Sequence, residues 1–123
     1  MRFIAAIALL ATFTLSTLAT DWPQWRGPNR DGVSTEKGLL DEWPEDGPNL
    51  LWKATGVGVG FSSVSVTGEL IYTMGDGKDA SHVYCLSPET GKIIWTSKRV
   101  GKTGGNYKGT RCTPTIDEGH VYA

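Results

Sequence analysis

Two acids in a glycine loop can share a cation, and Gly75-Asp76-Gly77-Lys78-Asp79 offers such a pair. The run lacks the full oxygen-ligand pattern of a calcium loop, and Lys78 opposes a cation, so it reads as a plain hairpin loop. A phosphate cradle is the second chemistry to test, in Gly101-Lys102-Thr103-Gly104-Gly105-Asn106-Tyr107-Lys108-Gly109. No Gly-x-x-x-x-Gly-Lys-Ser/Thr pattern opening a helix is present, so this stretch reads as a flexible connection. His82 and His120 stand far apart without Cys, Asp or Glu at ligand spacing, which leaves no metal site to expect. Arg26 and Arg111 each follow a turn, where a guanidinium can reach a ligand or make a surface ion pair. Cys85 and Cys112 could be joined in an oxidising compartment, but they read better as small strand residues. No residue set stands out as catalytic.

The elements that would position these residues begin after a segment of different character. Met1-Arg2 gives a minimal positive start, and residues 3–15 are apolar apart from Thr12 and Thr14. Thr17 and Ala19 suit the −3 and −1 sites of a peptidase, so residues 1–19 read as a signal peptide helix cleaved before Thr20. An uncleaved anchor is the alternative, residues 3–19 lying at the lower limit for a membrane span. After cleavage no stable membrane span is expected. Export places the protein in the periplasm or outside the cell.

With 12 basic and 13 acidic residues in 123, the net charge is −1, without the basic excess that nucleic-acid binding demands. The 16 glycines and 5 tryptophans suit short strands joined by tight turns. Residues 20–49 are so punctuated by Pro and Gly that they read as an ordered loop segment, with Trp22 and Trp25 needing burial.

Residues 50–123 read as all-β. Leu50-Leu51-Trp52-Lys53 is the first strand-like run; four more follow, at Val64 with Val66, then Leu70-Ile71-Tyr72-Thr73-Met74, His82-Val83-Tyr84-Cys85-Leu86 and Ile93-Ile94-Trp95-Thr96. Their separators are hairpin turns. The stretch from Ser63 to Tyr72 echoes that from Thr113 to Tyr122 at an offset of 50, and residues 50–53 echo residues 93–96 at an offset of 43. Four-stranded units repeating at that period are the mark of a β-propeller with antiparallel blades. The chain then holds a closing strand at residues 50–53, one full blade and the start of the next, an N-terminal fragment of the ring.

Val83-Tyr84-Cys85-Leu86-Ser87-Pro88-Glu89-Thr90-Gly91-Lys92-Ile93-Ile94-Trp95 resembles the tryptophan-docking motif of the pyrroloquinoline quinone (PQQ) type propeller repeat, Ala-x-Asp-x-x-Thr-Gly-Lys-x-x-Trp, as in quinoprotein alcohol dehydrogenase-like proteins. Thr90, Gly91, Lys92 and Trp95 match; Cys85 stands at the alanine and Ser87 at the aspartate. The opening Asp21-Trp22-Pro23-Gln24-Trp25-Arg26-Gly27-Pro28 is similar to the mature start of exported PQQ-like proteins, and Gly109-Thr110-Arg111-Cys112-Thr113-Pro114-Thr115 to the beginning of their next blade.

The resemblance implies an architectural motif, with Trp95 lying flat between adjacent blades. It places Arg26 and Arg111 where a side chain can reach a central funnel, as cofactor-binding candidates. The function it implies is an exported scaffold that binds a small molecule or a protein through its loops, without chemistry in these residues. The alternative is the N-terminal part of a periplasmic PQQ-dependent alcohol or sugar dehydrogenase, which would use PQQ and calcium in the full-length protein. The vicinal cysteine pair of the alcohol dehydrogenases is absent from this stretch.

Overall fold

A computed structural model describes residues 20–103 and 107–123, so the signal peptide expected at residues 1–19 lies outside the described residues. So does the Gly104-Gly105-Asn106 tip of the glycine-rich connection. The described residues form antiparallel sheets and no helix.

The first sheet joins β1 (Ser65–Thr67), β2 (Leu70–Asp76), β3 (Ala80–Leu86) and β4 (Ile93–Thr96) in sequence order, with β5 (Gly101–Lys102) added beside the start of β3. These four main strands fall where period-two alternation and turn residues place them. β2 and β3 run longer than the alternation suggests, so Gly75 and Asp76 belong to β2 and the turn narrows to Gly77–Ala80, closed by Gly77 N–H donating to the Ala80 carbonyl at 2.8 Å. β5 lies in the stretch expected to be a flexible connection.

Successive side chains in a strand point to opposite faces, so the register decides what meets. Ser65 pairs with Tyr72, Tyr72 with Cys85 and Cys85 with Trp95, which puts these four in a row on one face. Cys85 is fully buried there, and the rings of Tyr72 and Trp95 reach across it with centroids 6.0 Å apart. Met74 and Val83 extend that face, while Tyr84 and Leu86 are buried on the other. β4 is different: all its residues are exposed, and a bulge opposite Cys85 and Leu86 leaves Ile94 as the extra residue.

β6 (Thr115–Asp117) and β7 (His120–Tyr122) form a second hairpin. Its register reproduces the first at an offset of 50: Ser65 with Tyr72 becomes Thr115 with Tyr122, Val66 with Ile71 becomes Ile116 with Val121, and Thr67 with Leu70 becomes Asp117 with His120. The repeat seen in sequence is therefore a repeat in structure.

Leu50-Leu51-Trp52-Lys53 forms no strand, against expectation. Leu50 and Leu51 are 79% and 87% exposed, and only Trp52 turns inward. A strand needs a partner edge, and none of the described strands pairs with this segment.

Candidate functional site

The two hairpins meet along a seam whose geometry follows from the repeat. The segments leading into them run side by side, Gly60 bridging Thr110 in parallel, with Phe61 N–H donating to the Thr110 carbonyl at 2.7 Å. Ser63 N–H donates to Thr113 Oγ1 at 3.2 Å, and buried Ser65 donates its hydroxyl to the carbonyl of fully buried Pro114. Residues 60 and 110, and 63 and 113, are equivalents in the repeat. Residues 50 apart thus face each other in parallel where the two hairpins meet. Gly60 permits the closeness: a Cβ there would fall 2.6 Å from Thr110 Oγ1.

Asp76 clamps this seam. Its backbone pairs with Val59 in both directions, at 2.8 and 3.0 Å. Its carboxylate accepts from Ser81 Oγ at 2.6 Å and, across the seam, from Gly109 N–H at 3.0 Å. Each carboxylate oxygen thus accepts one hydrogen bond. A cavity of about 290 Å³ opens beside it, lined by Val59, Asp76, Gly77, Lys78, Thr103 and Lys108. Asp79 does not line it.

Arg111 follows Thr110 in the seam. Its guanidinium sits between two exposed rings, 5.8 Å from the Phe61 centroid and 5.7 Å from that of Tyr107. Phe61 and Arg111 are themselves equivalents at the offset of 50, so neighbouring units contribute the ring and the cation that stacks on it. Arg26, the other expected candidate, serves its own loop. It has φ 64°, donates from Nη2 to the Asp31 carbonyl at 2.9 Å, accepts from Gly32 N–H at 2.9 Å and stacks 5.4 Å from the Trp25 ring. Trp25 is 62% exposed, so the expectation that both tryptophans are buried holds only in part: Trp22 is half-buried, packed against Gly27.

The turn motif has a partner that sequence alone did not supply. Ser87 Oγ accepts from Thr90 N–H at 3.3 Å, Gly91 N–H donates to the Ser87 carbonyl at 2.8 Å, and Gly91 adopts φ 66°. Trp52 lies on this turn and donates Nε1–H to the Pro88 carbonyl at 2.6 Å. Ser87 thus does for the turn what the motif's aspartate would. Lys92 closes the turn through its carbonyl, which accepts from Ser87 N–H at 2.9 Å. Trp95, the equivalent of Trp52 at the offset of 43, rests on Tyr72 and remains 38% exposed.

Cys85 and Cys112 are both free, and Cys112 lies exposed outside any strand, not in one as expected. Burial pushes the Cys85 thiol up, and burial followed by the neighbouring Cys85 pushes the Tyr72 hydroxyl up, so both stay protonated across the neutral range. His82 is half-buried in β3 with Nδ1 2.9 Å from the Ser97 carbonyl, and exposed His120 has Nδ1 3.1 Å from that of Glu118.

A calcium ion asks for six to eight oxygens. Among the described residues no three His, Cys, Asp or Glu side chains come together as a ligand set. Compared with known proteins, the chain matches no family model, no curated protein and no solved structure.

Proposed function

We propose that this chain belongs to an exported β-propeller of PQQ-like repeats, a scaffold that binds a small molecule or a protein through the loops along its seams. The observation that carries the reading is the parallel contact of residues 50 apart, Gly60 with Thr110 and Ser63 with Thr113. Successive propeller blades are like units set side by side in one register, and the repeated hairpin meeting the first sheet 50 residues on suits that arrangement. Trp52 on the turn of Thr90, Gly91 and Lys92 supports it, because a tryptophan from one unit covers the tight turn of the next. Trp95 then has the same task toward a turn in a following repeat, which accounts for an exposed aromatic on an exposed strand.

Binding, not turnover, is the function these residues support. Arg111 presents a cation over the Phe61 and Tyr107 rings, and Lys78 and Lys108 line the cavity beside Asp76. Such a surface suits a ligand carrying an anionic group.

The exported protein, titrated with PQQ and calcium and assayed with alcohols and an artificial electron acceptor, tests this. The scaffold reading predicts no dye reduction, together with saturable binding of an anionic ligand from a carboxylate and phosphate panel that Arg111→Ala weakens at least several-fold. Cofactor-dependent dye reduction would replace the scaffold with a dehydrogenase.

A further inference from the structure

The two hairpins differ along one edge. On the first, Asp21 Oδ1 accepts from Gly68 N–H at 2.8 Å, and Trp22 exchanges both backbone bonds with Val66, at 2.7 and 2.9 Å. On the second, Ile116 stands where Val66 stands, in the same register against its partner strand, and its N–H donates to the Pro23 carbonyl at 2.8 Å. The carbonyl of a strand residue points to the same edge as its N–H. Pro23 has no N–H to return, so it leaves the Ile116 carbonyl without the bond that Trp22 gives to Val66. The segment that covers the first edge with two residues meets the second with one.

A cleft of about 280 Å³ opens there, lined by Pro23, Gln24 and Arg30 from the N-terminal loop and by Thr115, Ile116 and Asp117 from β6. Arg30 is fixed by its own loop. It has φ 58°, left-handed backbone that is costly for a side chain, and its N–H donates to the Gly27 carbonyl at 3.1 Å. Its Nε–H donates to Gln24 Oε1 at 2.9 Å, and Gln24 is oriented in turn by Nε2 donating to the Pro28 carbonyl at 3.1 Å. The terminal nitrogens of Arg30 make no hydrogen bond among the described residues, which leaves a fork of donors that matches a carboxylate. β6 supplies the opposite chemistry: the Asp117 carboxylate and the Ile116 carbonyl are acceptors.

We propose that this cleft binds the zwitterion of a free α-amino acid, its carboxylate on Arg30 and its ammonium on Asp117 and the Ile116 carbonyl. A simple anion would meet the like charge of Asp117, and a simple cation that of Arg30, so a ligand carrying both signs is the one that suits both walls. An ammonium has three donors, enough for a carboxylate and a carbonyl together. The volume suits a small molecule. This site is separate from Arg111 and from the cavity beside Asp76, and it stands whichever ligand the seam takes.

Calorimetric titration of the exported protein tests it, with each standard α-amino acid set beside its deaminated and its decarboxylated analogue, as alanine beside propionate and ethylamine. At least one amino acid should bind saturably and at least ten-fold more tightly than either of its single-charge analogues. Arg30→Gln and Asp117→Asn should each weaken that binding several-fold, with the thermal midpoint unchanged. No saturable binding of any amino acid overturns the proposal. So does a carboxylic acid that binds as tightly as its amino acid, or binding that neither substitution weakens. Should a variant fail to fold, the comparison of each zwitterion with its analogues on the unaltered protein decides.

Discussion

Trp52 lies on the backbone of Gly91 so closely that a Cβ at Gly91 would fall 2.3 Å from the indole. Gly91 also holds φ 66°, so a side chain there meets two penalties, one from the backbone and one from the ring. Gly91→Ala is expected to destabilise the protein by about 2–4 kcal/mol, combining about 1–3 kcal/mol for a left-handed non-glycine residue with the overpacking of a tight contact. Urea unfolding measures it. In Trp52→Ala the overpacking part disappears, so Gly91→Ala should cost less in that background; equal costs would mean that the indole does not press on the turn.

The clamp across the seam depends on one carboxylate. Asp76→Ala leaves Gly109 N–H and Ser81 Oγ without their acceptor, at a cost of about 1–3 kcal/mol. Hydrogen exchange should report the loss at Gly109 and Phe61 first, since both amides lie in the seam. Unchanged exchange at these two amides would show the seam to be held by other contacts.

The two thiols should behave oppositely. Cys112 is exposed and is expected to be alkylated by iodoacetamide at neutral pH, whereas Cys85 should label only when the protein is unfolded, as peptide mass spectrometry can show.

Raised pKa values at Cys85 and Tyr72 set an alkaline limit. An acid whose folded pKa lies above its unfolded one stabilises the fold below the unfolded value, about 8.5 for a thiol, and that stability is lost as pH rises through the folded value. The unfolding free energy should therefore fall above about pH 8.5. Cys85→Ala should flatten the first part of the fall and leave a smaller later part, due to the burial of Tyr72. A slope identical to wild type would place the effect elsewhere.

How much of this was legible in the sequence varies by feature. β1 to β4 and the second hairpin were readable, because alternation and turn residues act locally and the echo from Ser63 to Thr113 repeats them. Residues 50–53 were misread as a strand because their likeness to residues 93–96 lies in the tryptophan, not in a partner edge: Trp52 keeps the docking task without the ladder. The reach of β2 to Asp76 was hidden by two glycines that look like a loop, and only pairing with Val59 and Ser81 shows the residue to be a clamp. For the candidate site, Arg111 was visible as a charged residue after a turn. Its rings were not, although the offset of 50 that equates Phe61 with Arg111 could have brought them together. Arg26 had the same sequence signature, but its hydrogen bonds stay inside its own loop.

The central claim is that equivalent residues of successive units face each other in parallel, and a cross-link between Gly60→Cys and Thr110→Cys tests it most directly. Paired strands stand about 4.8 Å apart, inside the Cα range of a disulfide. A Cβ at residue 60 would lie 2.6 Å from the Oγ1 position of Thr110, close to where a bridging sulfur must be. With Cys112→Ser to remove the exposed thiol, mild oxidation of the exported protein is predicted to give an intramolecular disulfide between residues 60 and 110, seen as one linked peptide pair. Free thiols at both positions after oxidation, or cross-links only between molecules, would contradict the parallel seam and the propeller built on it.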